Sequence, residues 1–383
     1  MSDRARSLSV LFDSGPLGTG SYFAAPSQII EAWEPSEVQG AFQMMEAARR
    51  SGKWLAGAAS YELGYALIPK IAGRMPAARI EPLLRFGVFE AVQEPPNVAS
   101  DVGFELDGFQ PLWDEDSYRD AFSYIHNYLK EGDIYQANLT FPLISQLQGC
   151  AYSLYETLKT SQPVPHGALV DLGGAKLLSR SPELFFSITS DGQINTRPMK
   201  GTIERGADPV EDAMLKAQLA TSEKNQAENL MITDLLRNDI GRIAEIGSVY
   251  VPKLFAIESY ATVHQMTSDI VAQVLPDLTV SEVFGALFPC GSITGAPKIR
   301  AMEILSDLEP TPREAYCGAI GWMAPDGAME FNVAIRTLIC EPSGQVSLNV
   351  GGGIVYDSTA SSEYHEALLK AQFVHLPAVD GKT

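Results

Sequence analysis

The sequence predicts an α+β fold built on antiparallel sheets. Strand-like runs arrive in hairpin-like pairs, and those pairs alternate with helices. The chain has 383 residues and is 45% hydrophobic, enough for a sizeable core in two or three domains or in one large interlocked one.

In order, residues 7–92 form an N-terminal β-rich subregion. It holds the strand-like runs "LSVLF", "WLAGAASYELGYALI" and "LLRFGVFEAV" and one helix near Glu37–Arg50. Residues 93–111 are Pro-containing and acidic and read as a connector into a core over 112–376. The core opens with a helix in "DEDSYRDAFSYIHNYLKEG", a strand "IYQANLTFPLISQL" and a helix "YSLYETLKTS". Strands follow in "GALVDLGG" and "KLLSRSPELFFSIT". A helix in "SEKNQAENLMITDLLRNDIGRI" precedes the strands "SVYVPKLFAIES" and "ATVHQMTSDIVAQV". The helix "SEVFGALF" then leads to "PCGSITGAPKIRAMEIL", and the last part reads as three strands and a helix. No internal repeat or low-complexity tract is present.

Composition narrows the function. A formal net charge of -19 opposes binding to a polyanion, so no nucleic-acid partner is expected. No apolar window reaches the length of a membrane span, and the N-terminus lacks a signal-peptide core, so a cytoplasmic location is expected. Cys150, Cys290, Cys317 and Cys340 are scattered, without C-x-x-C spacing, and read as reduced thiols, most of them core.

Against that acidity, "TRPMKGTIERG" packs Arg197, Lys200 and Arg205 into one bend. Near the C-terminus Glu363, Glu366 and Lys370 fall at i, i+3 and i+7, one helix face. That face reads either as solvated salt bridges or as a carboxylate pair for a divalent cation with a lysine beside it. Glu228 shares a side with Met231, Ile232 and Leu235. A carboxylate there requires an arginine partner, such as Arg237 or Arg242, or a metal. "VGGGIVYDS" places Gly351, Gly352 and Gly353 after a strand, as a tight bend or as backbone amides open to a carboxylate. "GSITGAPK" fails as a phosphate loop but can aim a helix N-terminus at an anion. Arg336, inside the apolar strand "FNVAIRTLI", needs a partner, either a structural salt bridge or a ligand carboxylate. His264 in "TVHQMT" alone reads as a satisfied core histidine.

Taken together and in this order, "GDIYQANL", "SRSPELFF", "RPMKGT", "AENLMITDLLRNDIGRI", "GSITGAPK", "YCGAIGW", "AIRTL" and "GGGIVYDSTASSEYHEALLKA" resemble the chorismate-utilising enzymes. The family includes anthranilate, aminodeoxychorismate, isochorismate and salicylate synthases. The match spans about residues 112–376 and is loose before that. The resemblance implies a large sandwich of two antiparallel sheets flanked by helices, with chorismate as substrate and Mg²⁺ as cofactor. It implies Glu228 and Glu366 as metal ligands, with Glu363 assisting through water. Lys370 would sit beside the ring carboxylate, and Arg336 would grip the enolpyruvyl carboxylate with the Gly351 and Gly353 amides. Thr202 and Gln136 would complete the substrate contacts. Glu183 would be the general acid at the departing C4 hydroxyl, and His264 would lie near the reacting ring.

Two positions separate the branches of that family. At Lys200, relatives that add a nucleophile directly typically have alanine, and the lysine form is characteristic of aminodeoxychorismate synthases. There the lysine is thought to attack C2 before ammonia adds at C4, a route toward p-aminobenzoate and folate. Isochorismate and salicylate synthases have a lysine base where this chain has Gln136, and glutamine cannot activate water. The alternatives are an anthranilate synthase component or a non-catalytic chorismate-binding subunit. None of the cysteines sits in a G-x-C-x-G elbow, and the chain ends at Thr383, so a separate glutaminase subunit is expected to supply ammonia.

Overall fold

The computed structural model describes residues 8–96, 102–260 and 263–374. Two ten-stranded antiparallel sheets lie face to face. In the first, neighbouring strands run Gly295–Ala296, Gln136–Gly149, Gln345–Ile354, Thr337–Cys340, Lys176–Ser181, His166–Asp171, Ser9–Phe12 and Ser21–Ala24. In the second they run Met199–Glu204, Val263–Gln273, Gln193–Thr196, Leu184–Ile188, Met329–Val333, Ala319–Met323, Trp54–Ala59, Leu84–Phe89 and Gln28–Ala32. Tyr250–Ser259 flanks Val263–Gln273 on its other side. The predicted pair of antiparallel sheets with flanking helices is what the structure shows.

Three apolar clusters define the layers. Between the sheets, Val10, Ala168, Val170, Leu177 and Ile339 meet Ala56, Ala58, Ile320 and Trp322. Outside the second sheet, helices Pro35–Arg50, Glu223–Gly241 and Val280–Leu287 bury Phe42, Ile232, Leu236 and Phe284. Outside the first, helices Glu115–Glu131, Ala151–Ser161, Lys298–Leu308 and Ala360–Leu369 bury Ile125, Leu154, Ile304 and Ala367. All four cysteines are buried.

The N-terminal region is woven into both sheets. Ser9–Phe12 pairs with His166–Asp171, and Trp54–Ala59 pairs with Ala319–Met323. Buried Arg180 ties the first junction, pairing with Asp13 and donating to the Gln162 carbonyl at 2.8 Å. Residues 97–101 of the expected connector lie outside the described residues.

Local chemistry sets the element ends. Asp114 caps Glu115–Glu131 by accepting from the Ser117 amide at 2.8 Å, and Gly132 closes that helix at φ +78°. "WLAGAASYELGYALI" is not one strand: it turns after Ala59 into the short helix Leu63–Leu67. An unexpected helix, Pro209–Thr221, begins with Asp208 accepting from the Val210 and Glu211 amides and with Pro209 in its first turn.

Candidate active site

The site forms where the chain changes sheets. It leaves the first sheet after Ser181 and enters the second at Leu184, with Glu183 in the crossing. It returns between Val333 and Thr337, with Arg336 in that crossing. The two crossings are hydrogen-bonded to each other, Val333 N to Glu183 O at 3.0 Å and Arg180 N to Arg336 O at 2.9 Å. Arg336 is therefore not inside a strand, as its apolar neighbours suggest. Its φ is +51°, a left-handed backbone that costs a non-glycine residue of order 1–2 kcal/mol. Its side chain makes no hydrogen bond or ion pair among the described residues, and burial alone lowers its pKa. A guanidinium placed this way, unpaired among the described residues, is suited to an incoming carboxylate.

Glu183 is buried and accepts a hydrogen bond from Ser292 Oγ at 2.7 Å. Burial pushes its pKa up to about 7, against the opposing pull of Ser292 and Lys200. Lys200, on strand Met199–Glu204, has its pKa lowered by burial and by Lys370, while Glu228, Glu183 and Glu366 pull it up. Desolvation thus drives both groups toward their neutral forms, a protonated carboxyl and a free amine. Arg197 and Arg205 do not supply this effect. Arg197 is held by Asp269 and Glu258, and Arg205 by Asp212 and the Tyr260 carbonyl. The cations of "TRPMKGTIERG" therefore disperse, and Lys200 alone enters the site.

The glycine run lies inside strand Gln345–Ile354, not in a bend after it. A Cβ on Gly351 would come within 2.3 Å of the Leu139 carbonyl. One on Gly353 would meet Gln136 Nε2 at 2.9 Å and Lys200 Nζ at 3.0 Å. Bare backbone thus approaches the lysine. Gln136 is fully buried, and neither atom of its amide has a partner among the described residues. A buried amide left open in this position is suited to a polar ligand group.

The acidic helix carries a salt bridge on this face. Lys370 Nζ pairs with Glu366 at 2.9 Å and donates to the Gly351 carbonyl at 2.9 Å. Partial desolvation pushes Glu366 up, but Lys370, Lys200 and Lys224 outweigh it and hold the carboxyl low. Glu363 accepts from Ser358 Oγ at 2.6 Å and is raised by burial and by Glu366. Glu228 makes no ion pair with Arg237 or Arg242: Arg237 pairs with Asp234, and Arg242 donates to the Ala286 carbonyl. Its charge acts on Lys200 instead. Among the described residues no three His, Cys, Asp or Glu side chains enclose a metal position. Carboxylates are nonetheless the donor type a hard divalent cation takes, and Glu363 and Glu366 repel each other here.

Two further predicted residues have these surroundings. Thr202 is exposed and lines a cleft of about 340 Å³ with Ser222 and Asn225. Gly201, at φ +91°, sits in a register shift between Met199 and Thr202, so Thr202 need not share the face of Lys200. His264 is fully buried, with Nδ1 2.9 Å from Ser259 Oγ and Nε2 3.0 Å from Asp212 Oδ1. Both its nitrogens are engaged within the protein, the arrangement of a satisfied core histidine. At the helix N-terminus after "GSITGAPK", Lys298 pairs with buried Asp239 at 2.5 Å. Sequence reasoning missed Ser292, although it sits within that stretch.

Comparison with known proteins gives the family and the fold. The family model described as chorismate binding enzyme matches residues 10–375, and the chain belongs to that family. "Aminodeoxychorismate synthase component 1" of Klebsiella aerogenes is 44% identical over 255 residues, 67% of this chain and 56% of that protein. The Escherichia coli (strain K12) protein of the same name matches at the same identity and coverage. The chain thus spans little more than half the length of these relatives. In three dimensions it resembles anthranilate synthase component I from Streptococcus pneumoniae TIGR4, with a TM-score of 0.79 and 24% identity over 97% of this chain and 92% of that one. It also resembles the menaquinone-specific isochorismate synthase of Escherichia coli, with a TM-score of 0.76 and 15% identity over 97% and 88%. These two likenesses define the fold.

Proposed function

We propose that this chain converts chorismate and ammonia to 4-amino-4-deoxychorismate. The observation that carries the reading is the placement of Lys200, at the bare backbone of Gly353 and beside the open amide of Gln136, within the electrostatic reach of buried Glu183. Neutral Lys200 attacks C2 of chorismate. The ring double bonds shift, the C4–O bond breaks, and Glu183 gives its proton to the departing hydroxyl, which leaves as water. Ammonia then forms the new bond at C4, and the lysine leaves C2 with the electrons of the C–N bond. Arg336 orients the substrate through a carboxylate, and Gln136 offers its open amide to the ring substituents. Support comes also from the relatives named "Aminodeoxychorismate synthase component 1".

Mg²⁺ is the proposed cofactor, held by Glu228 and Glu366 with Glu363 nearby. When bound it would neutralise the ring carboxylate. A separate glutaminase subunit is the proposed source of ammonia, in keeping with the word "component" in those relatives' names. A cytoplasmic location belongs to the same reading. Among the described residues no helix is long and apolar enough to cross a membrane.

The test supplies purified chain with chorismate, Mg²⁺ and ammonium and analyses the product. Intact-mass spectrometry without ammonia should show wild type carrying chorismate less one water, and Lys200→Ala carrying nothing. Anthranilate and pyruvate as products, or undiminished turnover by Lys200→Ala, would overturn the reading.

A further inference from the structure

Ser292 lies in the buried turn Gly291–Ile293, outside every element used so far. Its Oγ stands 2.7 Å from Glu183 Oε1 and 3.2 Å from Cys290 Sγ. A serine hydroxyl carries one hydrogen. Glu183 Oε1 accepts it, so the Cys290 thiol is left to donate to Ser292 rather than the reverse. The Cys290 pKa is pushed up to about 12 by burial and by Glu183, so the thiol keeps its hydrogen for that bond.

The carboxyl is therefore held at one oxygen and open at the other. Oε1 is occupied as an acceptor, and Oε2 receives no hydrogen bond from the described residues. The backbone is pinned as well: the Glu183 amide donates to Ser181 Oγ at 3.2 Å and its carbonyl accepts from Val333 N. The titratable or charged groups facing Glu183 are Lys200, from the second sheet, and Cys290, beside Ser292.

We propose that Ser292 is a positioning residue for Glu183: by holding Oε1 it assigns the acidic proton to Oε2 and fixes the direction in which that proton is delivered. The role of Glu183 as the acid rests on the function proposed above. The hydrogen bond also stabilises the carboxylate, so removing it makes the carboxyl a weaker acid as well as a freer one.

The experiment compares wild type, Ser292→Ala and Ser292→Thr. Infrared spectroscopy follows the protonated-carboxyl band that disappears in Glu183→Gln, titrated with pH in the substrate-free protein. In Ser292→Ala that titration should rise by about 1 unit, a tenfold gain in proton affinity, while Ser292→Thr stays near wild type. In turnover, kcat of Ser292→Ala should fall about tenfold or more with chorismate binding kept, its basic limb should move to higher pH, and Ser292→Thr should recover most of the rate. An unmoved titration in Ser292→Ala would overturn the proposal, as would an unchanged kcat and pH profile beside an active wild type. A wild type that consumes no chorismate, with the titration still shifting, would overturn the proposed reaction and leave the Ser292–Glu183 bond supported.

Discussion

Replacing Gly353 by alanine tests how tightly Lys200 is confined. The added Cβ would stand 2.9 Å from Gln136 Nε2 and 3.0 Å from Lys200 Nζ. These fall 0.5 and 0.4 Å short of the 3.4 Å at which ordinary contact begins. Both neighbours are ends of flexible side chains, so they move and the strand stays. A misplacement of about 1 Å costs a reacting group about 100-fold, so a shift of half that costs about 10-fold in kcat/KM. Stability should change little. Gly351→Ala is the contrasting variant, because its Cβ would meet the Leu139 carbonyl at 2.3 Å and backbone cannot step aside. It should lose about 1–3 kcal/mol or more of stability. Chorismate consumption and product analysis report the first effect, and urea unfolding the second. A Gly353→Ala protein with wild-type kcat/KM would refute the claim that the glycine makes room for the nucleophile.

Three further outcomes are expected. Glu183 is raised to about 7, so its acid form is lost as pH rises through that value; the rate should fall on that side, and Glu183→Gln should remove both the rate and that limb. A limb that persists in the residual activity of Glu183→Gln would assign it to another group. Glu228→Gln and Glu366→Gln should each raise the Mg²⁺ requirement or abolish activity, and unchanged Mg²⁺ titrations in both would remove them as ligands. Asp13→Ala leaves buried Arg180 without its ion-pair partner and should cost about 3–5 kcal/mol by urea unfolding. A loss below about 1 kcal/mol would show that this junction is not held by the pair.

Periodicity alone made most of the strands and helices legible, because each buries one face on a repeating pattern. It failed at breaks in that pattern. The apolar run around Arg336 hid a change of sheet, since both flanking strands are buried and no polar punctuation marks the crossing. Asp208 and Pro209 carry the start signal of the missed helix, but that helix buries only Leu219 and so shows little apolar stripe. Lys200, Glu183 and Arg336 were found through the order of short stretches along the chain. The partners of Arg197, Arg205 and His264 were not, because Asp269, Asp212 and Ser259 reach them only through strand pairing and the capped helix. Ser292 was hidden for the same reason: its value comes from a glutamate more than a hundred residues earlier in the chain.

The paired crossings carry a consequence for how this site can be altered. Glu183 and Arg336 are seated on a single clasp, each crossing hydrogen-bonded to the other, so neither can be re-aimed alone. Deleting one residue near Pro182 would drag the return segment at Arg336 with it, and the side chains of Glu183 and Arg336 would leave their places together. New specificity is therefore more accessible through the groups that meet this clasp from outside, Gln136 and the side chain at position 200, than through the clasp itself.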